Sequence, residues 1–476
     1  MAHQFVDSSA ISSSPGPVAD AQRLVILDIL RGFALWGILL MNIEWFNRPI
    51  SEIGQWDESQ QGLSLAAGWF VRLFIEGKFY TLFSLLFGMG FAIMLRHGKA
   101  TGRDYFAWFS RRLTVLFLFG LLHLVFLWSG DILHSYAMAG FILLGMVWLF
   151  DKGYLQDLQR PHNQLRVALW WLGAPSVLLL LAALLFSTQD TGNQHEQDWQ
   201  YEQAVEARAK LLMSGAKPLP VDENSTELSE PELLELDARL RAEELKQNAL
   251  ELEQEIQALG QGTFLQASKF RLQQATAEFP FSLINILLAI FPLFLLGYAL
   301  QGSGMIENYQ RYSRVWKLLC CGGIGIGLPL SLWALILMQA PRFELDSWLG
   351  AVAYSLYYLS QYVLSAGYLG GLLWLCSQPR WLARLSGLAA MGKMALTHYL
   401  THSLVLSLLF FGYGLGWYGQ VDRAWQLLIA LALLICQLLI SPWWLTYFQF
   451  GPLEWLWRCL TYKAWQPFRR VKPAMD

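Results

Sequence analysis

RLVILDILRGFALWGILLMNI, residues 23–43, is apolar enough to cross a bilayer, yet it carries Asp28 and Arg31 in its first third. About 20 such residues suffice for a transmembrane helix. A charge near the centre of such a helix costs roughly 2.5–3.5 kcal/mol on insertion scales. Residues three apart share a helix face, so Asp28 and Arg31 meet across one turn and offset part of that cost. Ionisable groups inside a membrane mark function by default. The alternative for Arg31 is that its long stem snorkels to the headgroups.

The rest of the chain repeats the apolar pattern. Of 476 residues, 55% are hydrophobic and 15% charged, against about 25% charged in an ordinary soluble domain. Ten apolar runs are long enough to be membrane segments: about 24–44, 78–95, 113–128, 131–150, 167–186, 280–300, 318–338, 347–375, 394–416 and 424–447. The reading is an all-α, polytopic membrane bundle of about ten helices. Residues 1–22 are Ser/Pro-rich and lack a basic start, which predicts a mobile tail rather than a cleaved signal. In this division 23–186 holds the first five helices, 187–279 an insert, 280–447 the last five, and 448–476 a C-terminal tail.

Lys and Arg alternate between loops. The loops at 96–112, 151–166, 301–317 and 377–393 and the C-terminal tail are rich in them, and the intervening short loops are poor. Positive-inside bias therefore predicts both termini in the cytoplasm and the 187–279 insert outside. A bacterial inner membrane is the expected location. Cys320, Cys321, Cys376 and Cys459 fall at expected cytoplasmic ends and Cys436 within the last helix, so no structural disulfide is expected. The net charge of −2 says nothing about an acidic or basic partner, and no feature of the sequence supports nucleic-acid binding. GGIGIG at 322–327 lacks the strand that a dinucleotide fingerprint requires.

In the insert, Ser229-Glu230-Pro231-Glu232 has the spacing of a capping box with proline in the first turn. It predicts a long amphipathic helix over 230–258, paired with a shorter one over 197–213.

LLHLVFLWSGDILHSYAMAG, 121–140, holds the densest polar set: His123, Asp131, His134 and Tyr136. Two helices joined by so tight a turn run side by side. Equal distances from that turn place His123 nearer the level of His134 and Tyr136 than of Asp131. A histidine close to an acid suits general-base work at neutral pH, whereas Asp131 also fits a helix cap. Asn42 closes the first segment, and Lys78 beside Glu76 opens the second, where interface anchoring is the alternative. His398 and His402 form an i, i+4 pair. No third ligand is evident, so hydrogen bonding between helices is expected and no metal.

LDILRGFALWGILLMNI, KFYTLFSLLFGMGFAIML, the H…W-x-G-D-I-L…Y-A pattern and FGPLEWLWRCLTY together resemble the YeiB-like bacterial membrane proteins. They span nearly the whole chain except 187–279. That family is usually grouped with the transmembrane acyltransferases, including sugar O-acetyltransferases and heparan glucosaminide N-acetyltransferase. The resemblance implies about ten helices passing an acyl group from a cytoplasmic acyl-CoA co-substrate to an extracytoplasmic acceptor. The L-D-x-L-R-G motif maps onto Leu27, Asp28, Leu30, Arg31 and Gly32, which implies that Asp28 fixes Arg31 and that Arg31 meets a donor phosphate. The sugar enzymes place a histidine eleven residues after that arginine, where this chain has Asn42; the glucosaminide enzyme places one eleven later still, where this chain has Ile53. Neither carries over.

Three functions follow. In an acyltransferase, His123, Asp131 and His134 are catalytic, and Asp28, Arg31, Asn42, Lys78 and Tyr136 bind donor or acceptor. In a transporter or lipid flippase, the same residues form a substrate or proton path. In a scaffold, the helices anchor the insert.

Overall fold

The computed structural model describes residues 24–53, 61–100, 104–187, 192–221, 228–340 and 347–470. The tail expected at 1–22 lies outside the described residues.

Helix α1 (Val25–Asn47) is followed by α2 (Gly62–Phe70), which runs through a π-helical turn, Val71–Ile75, toward α3 (Lys78–Ala100). Then come α4 (Tyr105–Phe126), α5 (Leu133–Asp151) and α6 (Pro161–Ser187). The insert supplies α7 (Gly192–Met213) and α8 (Glu230–Glu255). Helix α9 (Phe264–Asn285) continues through a second π-helical turn, Ile286–Ile290, into α10 (Phe291–Gly302). The chain closes with α11 (Ser313–Leu337), α12 (Trp348–Cys376), α13 (Pro379–Arg384), α14 (Ser386–Lys393), α15 (Ala395–Phe410), α16 (Arg423–Tyr447) and α17 (Pro452–Tyr462). Among the described residues there is no β-sheet, only one isolated bridge between Phe448 and Arg469.

Among the described residues, eight helical stretches are long and apolar enough to cross a membrane, with α2 and α3 together forming one of them and α9 and α10 another. The 29-residue α12 and the 16-residue α15 occupy the two remaining expected segments. The outward faces are greasy: Trp170, Leu185, Phe281, Leu318 and Leu439 each stand more than 60% exposed. A water-soluble protein rarely leaves so much apolar surface uncovered, so this surface is built for lipid. The protein is a multi-pass membrane protein.

Helix α1 is the most deeply buried of the membrane helices and contacts α3, α14, α15 and α16. Small residues set its closest crossing. A Cβ on Gly392 of α14 would sit 1.9 Å from the Asp28 carbonyl, and one on Gly32 would sit 2.1 Å from that of Leu388. Backbone therefore meets backbone. Helices α3 and α10 cross in the same way at Gly88 and Gly297.

Four features differ from the sequence reading. Helix α2 had no counterpart, because nine residues are too few to register as a span. The loop expected at 377–393 is largely helix, and Met391 within it is fully buried. The sixth span begins at Phe264, so its polar first turns take up the last part of the expected insert. The turn between α4 and α5 runs from Leu127 to Ile132, which moves Asp131 off the start of α5.

The insert forms the expected hairpin. Ser229 and Glu232 make the capping box at the head of α8. Arg208 bonds Glu235 at 2.6 Å, and Arg241 bonds Glu206 at 2.9 Å, joining α7 to α8. At the foot of α8, Glu255 accepts from the Tyr418 hydroxyl at 2.8 Å and from the Ile50 amide at 3.2 Å. The Gly412 amide donates to the Leu259 carbonyl at 2.8 Å. The hairpin is thereby tied to the end of the bundle where α1 stops.

Candidate functional site

A cavity of about 270 Å³ lies among α1, α3, α4, α15 and α17. It starts at the end of the bundle where α1 begins. Asp28 is fully buried there, and Arg31 Nη1 donates to its Oδ1 at 3.0 Å. The guanidinium reaches across to α3 beside Gly90, where a Cβ would lie 2.9 Å from Nη2.

Three further cations face the same space: Arg112 from α4, Lys393 from α14 and Arg458 from α17, with His97 of α3 beside them. The Arg112 guanidinium lies 3.5 Å over the Trp457 ring, and the Trp457 indole donates to the Arg112 carbonyl. Stacking of this kind fixes the plane of a guanidinium and leaves its N–H edges to face a ligand. Glu454 also lines the cavity, but its carboxylate accepts from the Thr397 amide and hydroxyl at the head of α15. Thr397 Oγ1 in turn accepts from the Leu453 amide of α17, so the two helices cap each other. Burial pushes the Glu454 carboxyl above the ordinary glutamate value. Arg31, Arg112, Lys393 and Arg458 therefore outnumber Asp28 and Glu454 around the opening, and an anion is the ligand that surplus suits.

Farther in, the wall is apolar and aromatic, with Leu86, Phe87, Phe91, Leu113 and Leu116. It ends near Tyr136 and Tyr399. Tyr136 is hydrogen-bonded to Ser84 Oγ at 2.7 Å, and its ring meets Phe87 and Phe294 edge-on. The Tyr399 ring lies 5.1 Å from that of His123.

Behind Tyr399 is a buried polar chain. His123 Nδ1 lies 2.8 Å from Asp131 Oδ1, and His123 Nε2 lies 2.7 Å from Ser403 Oγ. The other carboxylate oxygen accepts from His134 Nδ1 and from the His134 amide, each at 2.8 Å. His134 Nε2 faces Ser135 Oγ at 3.1 Å. A carboxylate only accepts, so each histidine donates through Nδ1, and in the neutral ring the lone pair is then on Nε2. None of His123, Asp131, His134 and Ser403 exceeds 8% exposure. Arg271 of α9 closes the other side, donating to the Val125 carbonyl and to the Tyr413 hydroxyl at 3.2 Å each.

The structure unites His123, Asp131 and His134, and places Asp28, Arg31 and Tyr136 on one cavity. The depth expected for His123 is corrected. Asp131 precedes α5 and folds back from the turn, so it touches both histidines instead of lying above them. Asn42 and Lys78 stand apart. Asn42 is eleven residues beyond Arg31, about 17 Å along the helix. Lys78 is fully buried, but its Nζ donates to the Arg72 carbonyl at 2.6 Å and does not line the cavity. His398 bonds Ser441 at 2.7 Å, and His402 bonds Gln437 at 2.6 Å, so both face α16 as expected of hydrogen-bonding residues.

The sequence reading missed Arg112, Lys393, Arg458, Glu454, Tyr399 and Ser403. Two signals for the cations were present. Arg112 is adjacent to an apolar run, and Arg458 sits in the FGPLEWLWRCLTY signature.

A lipid-facing helical bundle that encloses a cation-ringed cavity and a buried carboxylate–histidine chain defines the class: a multi-pass membrane protein with an internal polar site. Residues 271–464 match the family described as protein of unknown function (DUF418). The chain is 29% identical to the uncharacterized protein YxaH of Bacillus subtilis, covering 96% of this chain and 99% of that one. It is likewise 29% identical to the uncharacterized protein YeiB of Escherichia coli, covering 94% and 98%. An uncharacterized 39.9 kDa protein from the amylase 3′ region of Bacillus acidopullulyticus is 26% identical, covering 96% and 99%. The chain is thus similar to these uncharacterized bacterial proteins over nearly its whole length. No solved structure matches it.

Proposed function

We propose that the protein is an integral membrane acyltransferase that moves an acyl group from a cytoplasmic acyl-CoA to an extracytoplasmic acceptor. The observation that carries this reading is one cavity with cations at its opening and the His123–Asp131 pair one side chain behind its inner end. Arg112 and His123 are eleven residues apart on α4, about 17 Å of helix. An acyl-CoA keeps its phosphates and its thioester at the two ends of an extended arm, so it presents charge to the cations and the reacting carbon toward the histidine. Arg31 and Arg112 hold phosphate, Asp28 orients Arg31, and Asp131 holds His123 in the tautomer a base requires. The YeiB-like relatives are bacterial, and the basic loops lie at the end where α1 begins. The reading therefore sets that end in the cytoplasm, in the bacterial inner membrane.

The test is binding and turnover by purified protein in nanodiscs. Acetyl-CoA and long-chain acyl-CoA should bind, and Arg31→Gln should weaken binding roughly tenfold or more, the loss of one charge-assisted phosphate contact. Slow acyl-CoA hydrolysis, or transfer to a panel of sugars and lipid alcohols, should disappear in His123→Ala. Equal binding by wild type and Arg31→Gln, with no turnover on any acceptor, would sink the reading.

The interruption between α14 and α15 beside the cavity favours a second reading, a transporter or flippase, because broken helices line transport sites. Counterflow in proteoliposomes without acyl chemistry would select it.

A further inference from the structure

We propose that Ser403 is the nucleophile of this site and carries the acyl group as a covalent ester between two half-reactions. The inference rests on the acyltransferase reading and adds a residue and a chemical step to it.

The argument is one of occupied valences. His123 has two ring nitrogens. Nδ1 is held by Asp131 at 2.8 Å, and Nε2 meets the Ser403 hydroxyl at 2.7 Å. No lone pair on the ring is left to face the cavity, so a base at His123 acts on the proton of Ser403. Hydroxyl, imidazole and carboxylate in this order and spacing are the arrangement that activates a serine. The three groups come from α15, α4 and the turn before α5, so the fold assembles them from distant parts of the chain. His134 on the second oxygen of Asp131 fixes the carboxylate in place, the role of an outer hydrogen-bond partner. Ser403 lies one turn beyond Tyr399, which lines the inner end of the cavity. The Tyr399 hydroxyl accepts from the Ile132 amide at 3.4 Å, and its buried ring packs 5.1 Å from that of His123, so the ring must turn aside for a thioester to reach Ser403.

In the first half-reaction Ser403 Oγ attacks the thioester carbonyl and its proton passes to His123 Nε2. The carbon–sulfur bond then breaks, the leaving thiolate takes that proton, and an ester remains on Ser403. In the second, an acceptor hydroxyl or amine attacks the ester carbonyl while His123 takes its proton. The carbon–oxygen bond to Ser403 breaks, and the serine oxygen recovers the proton. Atoms and charge balance without a further reagent.

The experiment mixes purified wild-type protein in nanodiscs with acetyl-CoA or palmitoyl-CoA in the absence of acceptor and reads the intact mass. A fluorophosphonate probe for activated serines is applied in parallel. One acyl group per chain should appear, map to Ser403 and vanish in Ser403→Ala. His123→Gln should slow both acylation and probe labelling by roughly 10²-fold or more. Ser403→Cys, which keeps the size and a hydrogen on the side chain, should load as a thioester cleaved by neutral hydroxylamine. Turnover retained in Ser403→Ala, or an adduct on another residue, would overturn the proposal and leave the acyltransferase reading standing. Wild type that binds donor but takes neither acyl group nor probe would overturn it too. Loss of donor binding in wild type would instead remove the parent reading, with the probe still reporting on Ser403.

Discussion

Asp131 accepts three hydrogen bonds inside the bundle. Replacing it by Asn puts an amide N–H either against His123 Nδ1 or against the two donors of His134. Asp131→Asn should therefore destabilise the protein by about 1–3 kcal/mol and, on the acyltransferase reading, lower acyl transfer by roughly 10²-fold or more, read by thermal unfolding and by turnover in the same preparation. At the other end of the cavity, Arg112→Gln keeps a hydrogen-bonding side chain but loses the charge. On the acyltransferase reading it should raise the acyl-CoA Kd with kcat near wild type, because Arg112 stands eleven residues, about 17 Å of helix, from His123. A fall in kcat with unchanged Kd would put Arg112 in another role. His123, Asp131 and His134 were legible in the sequence because polar side chains stand out in an apolar run. Ser403 was not, since a hydroxyl in a membrane helix bonds its own backbone as readily as a partner. Its meaning comes from His123, 280 positions away. Arg112 was read as a topology marker because charge next to an apolar run has that meaning first.

At the scale of elements, the sequence predicted the long helices well, since their apolar length is a direct consequence of bilayer thickness. Helices α2, α13 and α14 are shorter than a membrane is thick, and no periodicity or length argument reaches them. Yet α14 sets the position of Asp28. Adding a methyl at Gly392 forces α14 off α1, because the new carbon meets backbone at 1.9 Å. Gly392→Ala should cost about 1–3 kcal/mol, whereas Gly145→Ala, with nothing within 4 Å, should be neutral or slightly stabilising. Parallel thermal melts check the pair. Equal melting temperatures would mean that the crossing is looser than the geometry requires.

The whole molecule joins two bodies of different chemistry, the lipid-facing bundle and the charged hairpin of α7 and α8. Their contact at Glu255 depends on pH. Burial, with Glu52 and Glu278 nearby, raises its carboxyl above the usual value in spite of the bonds from Tyr418 and Ile50. A carboxyl whose value is higher in the docked form binds its proton more tightly there. Docking is thus fully favoured below the ordinary glutamate value, about 4.3, and weakens as pH rises through the raised value. Amide exchange of Gly412, whose N–H bonds the Leu259 carbonyl of the hairpin, should accelerate over that window beyond the intrinsic base-catalysed rise. In Glu255→Gln the excess should be absent. An unchanged profile in the variant would locate the pH dependence elsewhere.

The mutual caps between Glu454 and Thr397 give α17 a part in the order of synthesis. Glu454, Trp457 and Arg458 belong to the wall of the chamber, and they are translated after the last membrane helix. A nascent chain already threaded into the bilayer up to Tyr447 thus has its chamber unwalled on one side. On the acyltransferase reading, a chain truncated after Phe448 should insert but retain no acyl-CoA, and one that runs on through Tyr462 should retain it.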